Sequence, residues 1–243
     1  MRRAWTPIVA VAVISAAVAF WVYYDKQRLQ NTPDHRLDTT LNAMPAWQVL
    51  KEQDPRFVTR IREQILTMQK AGDSEQDIID VVQPQILSLQ MSRLQYAPDA
   101  NAVAYMKINM EQTAAIQKVS DDACFRFLFP GVKGGINPMR VLDKDLMQRR
   151  MQADAEMMRA GWSNDRHTVT PEEHAAAVED VRPIMQELTV QYGKDIRLLV
   201  MPENAVGKEK LACEMVQAMW GKVLKLPEQK AARVIRMAVT ELD

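Results

Sequence analysis

A chain of 243 residues with 47% hydrophobic and 26% charged residues can build a sizeable core, and it lies outside the low-hydrophobicity, high-charge class that stays disordered. Its 31 basic and 31 acidic residues cancel and are interleaved, as in Arg60-Ile61-Arg62-Glu63, so no net field or basic block recruits nucleic acid. With only 8 Gly, few aromatics, and Ala, Leu, Met and Val at helix-compatible spacings, the composition favours an all-α fold over β structure.

From Ala4 to Tyr24 no residue is charged, and about 20 helical residues cross a hydrocarbon core of roughly 30 Å. Trp5 at one end and Trp21, Tyr23 and Tyr24 at the other sit where aromatic rings prefer the headgroup region, with Arg2, Arg3, Lys26 and Arg28 bracketing the segment. Residues 1–24 are therefore expected to form a membrane anchor, a single transmembrane helix. The rival reading is a cleaved signal peptide, with Ile8 to Ala16 as its apolar region and Ala17-Val18-Ala19 as its cleavage site. Against it, the apolar run continues through Phe20-Trp21-Val22-Tyr23-Tyr24 and cleavage leaves a sticky new terminus.

The charges flanking the segment nearly tie, so orientation falls to the two cysteines, Cys124 and Cys213. An even pair can form one disulfide in an oxidising compartment, the alternative being two buried thiols. A bridge closes a loop of about 90 residues and contributes up to about 4 to 5 kcal/mol in the chain-entropy account. The expectation is a single-pass protein of a bacterial inner membrane, its N-terminus cytoplasmic and its domain periplasmic.

Residues 25–44 are polar, punctuated by Asn31-Thr32-Pro33-Asp34, with only Leu29, Leu37 and Leu41 to bury, and read as a spacer whose outer end can be helical. The domain proper spans 45–243. Asp54-Pro55 sets an N-cap carboxylate before a proline at the first helical position, and Phe57, Val58, Ile61, Ile65 and Leu66 follow at helical spacing until Gly72. Asp73 or Ser74 caps a second helix, which Pro84 must kink or split. Asp99 to Val119 is a third helix, and Ser120-Asp121-Asp122 caps a short fourth through Leu128.

Pro130-Gly131-Val132-Lys133-Gly134-Gly135-Ile136-Asn137-Pro138 breaks the helical pattern and is the expected boundary between two halves, 45–129 and 139–243. Beyond it lie a helix over Leu142 to Ala160, another opened by Thr170-Pro171-Glu172-Glu173 and bent at Pro183, and two closing helices, Lys208 to Leu226 and Pro227 to Leu242. Ile196 to Met201 reads equally as a short strand or a helix end. The sum is an irregular multi-helix bundle with proline-kinked helices.

No catalytic or cofactor pattern passes a physical test. The three histidines, His35, His167 and His174, are badly spaced for a metal, and Glu172 and Glu173 already have a helix-dipole role. Gly131 to Gly135 lacks the spacing of a phosphate-binding loop, and Gly207-Lys208 is followed by Glu209 instead of Ser or Thr. Cys124 among Phe125, Phe127 and Phe129 reads as structural rather than nucleophilic. Catalytic residues, cofactor and metal are accordingly expected to be none.

Sixteen methionines are the most unusual feature, and Met147, Met151 and Met158 share a helical face. Three roles compete for them: core packing, an adaptable partner-binding groove, or Cu(I) ligation by thioethers. Arg149-Arg150 and Arg159 read as the solvated face of that helix.

The function expected is that of a membrane-tethered envelope protein acting through protein binding, as an adaptor, assembly factor, chaperone or toxin-neutralising partner. The alternatives are an envelope enzyme using carboxylates such as Asp121 and Asp122, and a structural subunit of a larger membrane complex, its anchor packing through small residues such as Ala10, Ala12 and Ala16.

Overall fold

The computed structural model describes residues 33–240, and within them the fold is all-α: helices and short 3₁₀ turns without a strand. The expected anchor over residues 4–24, its Ala17-Val18-Ala19 site and the start of the spacer lie outside the described residues. Among the described residues no helix is long and apolar enough to cross a membrane.

The outer part of the stretch read as spacer is part of the packed body. Helix α1, Pro33–Asn42, turns Leu37 and Leu41 inward, and Met44 follows on the same stripe. Arg62 of α3, Pro55–Ala71, grips Asp38 of α1 through two nitrogens, at 2.5 and 2.8 Å. Between them α2, Pro45–Gln53, buries Trp47, Val49 and Leu50.

The helix starts follow their capping chemistry. The Asp54 side chain accepts from Phe57 N at 3.0 Å, and Gly72, at φ 83°, ends α3 in the left-handed conformation open to glycine. Ser74 and Asp77 form a reciprocal capping box opening α4, Glu75–Leu94, which continues through Pro84. Ser120 caps α6, Asp121–Leu128, Asp143 caps α8, Lys144–Ala160, and Thr170 caps α9, Pro171–Tyr192. The ambiguous apolar run is no strand: Gly193–Leu199 forms a 3₁₀ turn that buries Leu198 and Leu199.

At the centre stands α5, Asp99–Val119, packed against α8, α6, α10 (Glu209–Val223) and α11 (Glu228–Val239). Helices from both sides of the Gly-rich stretch thus share one core around α5. That stretch, including the one-turn helix α7, Pro130–Lys133, is a corner within this core rather than a linker between two. Trp220 of α10 is the largest fully buried side chain among the described residues.

The turn after α8 shows how closely the helices approach. A Cβ placed on Gly161 meets the backbone carbonyl oxygen of Arg93 at 2.3 Å, a contact no side-chain motion can relieve. Gly221, inside α10, has nothing within 4 Å of that position. Gly161→Ala is expected to destabilise the fold by about 1–3 kcal/mol, by overpacking. Gly221→Ala should stabilise it by roughly 0.5–1 kcal/mol, through lost chain entropy and better helix propensity. Urea unfolding midpoints of the two variants should therefore move in opposite directions.

Candidate functional site

A walled groove lies where α4 meets the α6–α7 corner. Phe125 and Phe127 anchor α6 in the core, and Phe129-Pro130 turns the chain into α7. Arg126 holds the next stretch down, its Nη2 donating to Gly135 O at 2.6 Å and its Nε to Gly134 O at 3.3 Å. Gly135 lies directly on the Gln83 side chain of α4, where a Cβ would meet Oε1 at 2.4 Å. Asn137 donates to Glu75 at 2.8 Å, and Arg140 pairs with the same carboxylate.

These contacts leave a cleft of about 520 Å³ between Pro84 and Leu87 of α4, Phe129 to Val132 of the corner, and Pro202 of a 3₁₀ turn. A volume of this size suits burial of an apolar group, since recognition pockets commonly span about 300–1,000 Å³. A second apolar surface, with Val178, Met185 and Val190 exposed to different degrees, is formed among the described residues by α9 alone.

The interior between α5 and α8 is polar. Tyr105, Asn109 and Gln112 lie on the buried side of α5 facing this region, with Arg150 and Asp154 buried on α8. The Arg150 guanidinium stacks over the Tyr105 ring at 4.5 Å, and its Nε lies 2.8 Å from Asp154 Oδ1 without being aimed at it. Tyr105 Oη and both amide atoms of Asn109 find no hydrogen-bond partner among the described residues.

Burial pushes the Asp154 carboxyl up to about 6 against the attraction of Arg150. Burial works against the Arg150 charge too, but Asp154 and Tyr105 outweigh it and hold the guanidinium charged. Arg150 therefore corrects the expectation of a solvated Arg149-Arg150 pair. Only Arg149 faces water, joined to Glu111 at 2.6 and 2.7 Å.

The methionine face sits on this same helix. Met147 and Met158 are buried and Met151 is half-buried, so two of the three present no surface to a partner. A helix flanked by α2, α4 and α5 turns its apolar stripe into the core. Cys124 of α6 and Cys213 of α10 are fully buried at disulfide distance, their Cα atoms 6.3 Å apart.

Of the titratable residues singled out from sequence, His167, Asp121 and Asp122 hold side-chain partners. His167 Nε2 lies 2.5 Å from Glu173 Oε2, while His174 sits a residue further on and His35 is exposed on α1. Asp121 accepts from Gln117 at 2.8 Å and Asp122 from Lys133 at 2.6 Å. Among the described residues no group of three or more His, Cys, Asp or Glu is placed to hold a metal ion. Compared with family models, curated proteins and solved structures, the chain matches none.

The buried carboxyl sets a pH dependence whose sign is fixed. A folded-state value of about 6 lies above the ordinary 3.8, so the folded chain binds the proton more tightly than the unfolded chain. Stability from this group is lowest above pH 6 and rises as the pH falls toward 4. Asp154→Asn removes the titration. Between pH 7 and pH 4 wild type should gain on the order of 2 kcal/mol relative to the variant in urea unfolding; a constant difference between the two would refute the assignment.

Proposed function

We propose that this chain is a membrane-tethered helical protein of the cell envelope that acts by binding another protein there, as an adaptor, assembly factor, chaperone or toxin-neutralising partner. The observation that carries the reading is the groove between α4 and the α6–α7 corner. Its lining is apolar, from Pro84, Leu87, Phe129 and Val132, with Asp80 as its one charged side chain. Such a surface recognises shape and apolar area, as partner pockets for anchoring side chains do.

The uncharged segment from Ala4 to Tyr24 supports a tether, and a tether raises the domain's effective concentration toward neighbours on the same membrane. The cysteine pair at disulfide distance supports an oxidising compartment, hence a periplasmic domain.

Two measurements test this. In intact cells Cys124 and Cys213 are expected to resist alkylation by a thiol reagent under denaturing quench until a reductant is added; free reaction without reductant removes the support for the periplasmic side. Purification of the full chain from detergent-solubilised membranes is expected to return one stoichiometric protein, lost on Leu87→Glu and retained with Val119→Glu, a change at an exposed site away from the groove lining. Retention in both variants excludes the groove as the binding surface.

A further inference from the structure

The groove offers apolar surface inside and acceptors at its rim. Pro84, Leu87, Phe129, Pro130, Val132 and Pro202 supply the apolar part. Asp80 is exposed, its Oδ1 accepts from Gln76 Nε2 at 2.8 Å, and it has no ion-pair partner among the described residues. Two of the nearby cations are paired with carboxylates and the third binds backbone carbonyls. Lys133 bridges Asp122 and Glu209 at 2.6 and 2.9 Å, Arg126 holds the carbonyls of Gly134 and Gly135, and Arg140 pairs with Glu75.

The backbone adds a second acceptor. Pro84 lies inside α4 and has no N–H, so the carbonyl of Asp80, four residues earlier, lacks its helical donor. The next carbonyl, Val81 O, already accepts from a side chain, Gln85 Nε2 at 3.0 Å, which shows that side-chain donors reach this stretch of backbone. One carboxylate and one freed carbonyl thus stand on the same helical turn at the edge of an apolar cleft of about 520 Å³. The complement of that arrangement is an apolar side chain with a positive donor beside it.

We infer that the groove receives a segment of the partner protein that presents a large apolar side chain next to a lysine or arginine, the apolar group entering the cleft and the cation meeting Asp80 and its carbonyl. This rests on the protein-binding reading and sharpens it. Asp80 disfavours an acidic segment at the rim, where Lys133 and Arg140 are already paired with carboxylates; the Arg126 guanidinium, bound to neutral carbonyls near Asp80, offsets part of that repulsion, so the preference is modest.

Fluorescein-labelled octapeptides in a Gly-Ser background, titrated against the full chain in detergent micelles, read the preference directly. A Leu-Arg peptide is expected to bind at least roughly tenfold more tightly than Ser-Arg, from burial of the leucine, and roughly two- to fivefold more tightly than Leu-Glu. Asp80→Asn should erase the Leu-Arg over Leu-Glu preference. Pro84→Ala returns an N–H to the Asp80 carbonyl, so it should raise the urea midpoint while weakening the Leu-Arg peptide roughly two- to tenfold. A variant that folds better and binds worse separates the site from the fold. Equal binding of Leu-Arg and Leu-Glu, no binding of either, or a Pro84→Ala chain that binds at full strength overturns the inference.

The occupant itself is read by a photo-crosslinking residue at Gly131, where a Cβ has nothing within 4 Å. In native membranes an adduct to a partner segment bearing an apolar residue beside Lys or Arg supports the inference. An adduct between two copies of the chain, or one to its own residues 1–32, overturns it. Adducts to a partner without the Leu-Arg preference defeat the stated chemistry and leave protein binding standing. No adduct at Gly131 or at Val190 of α9 defeats both.

Discussion

The structure depends on the burial of α5 from several sides at once. Four helices lie on it, and its inward positions alternate Ala102, Val103 and Met106 with Tyr105, Asn109, Gln112 and Thr113. A helix enclosed this way keeps its own backbone hydrogen bonds, so its polar side chains must find partners on its neighbours or stay unpaired. Thr113 solves the problem locally, donating to Asn109 O at 2.8 Å. Tyr105 and Asn109 do not, and the α5–α8 contact is therefore one place where the core gives up hydrogen bonding for its packing.

Two buried arginines show both outcomes of that constraint. Arg236 of α11, 2% exposed, donates to Ala97 O at 3.0 Å, Asp99 at 2.7 Å and Glu173 at 2.7 Å. It joins the closing helix to the start of α5 and the start of α9, and Glu173 also reaches His167. Burial alone raises the Glu173 carboxyl, but His167 and Arg236 reverse the effect and hold it below its ordinary value. Arg150, 1% exposed, has among the described residues only a misaligned carboxylate and an aromatic face. The saturated arginine fixes three distant segments, whereas the unsaturated one leaves its carboxylate partner near neutrality. A buried charge is costly to the extent that its geometry fails to replace water.

Sequence features were informative where the cause is local. Asp54-Pro55, Ser74, Ser120 and Thr170-Pro171 act within a turn of the residues they cap, and each helix begins where they place it. Leu37 and Leu41, spaced four apart, are themselves a helical stripe, but two leucines in a polar stretch do not declare that a partner helix will cover them. Arg150 was hidden for a related reason: next to Arg149 it has the pattern of a solvated face, and only the packing of α5 decides which of the two turns inward. The groove drew on two features visible separately, a proline inside a helix and a Gly-rich break. Their meeting is a tertiary fact, recorded in the contact of Gly135 on Gln83.

That meeting also determines how rigid the groove is. The corner is moored to α10 twice, by Cys124 against Cys213 and by Lys133 to Glu209. It is moored to α4 by Gln83 under Gly135 and by Asn137 and Arg140 on Glu75. Hydrogen bonds from the Arg126 guanidinium to the carbonyls of Gly134 and Gly135 fix the intervening stretch. A groove whose walls are tied on both sides loses little conformational freedom when it is filled, so more of the apolar contact energy appears as affinity. Cys124 lies midway along the short helix α6, whose C-cap residue Phe129, five residues further on, lines the groove. Covalent closure between Cys124 and Cys213 stiffens the groove wall together with the core.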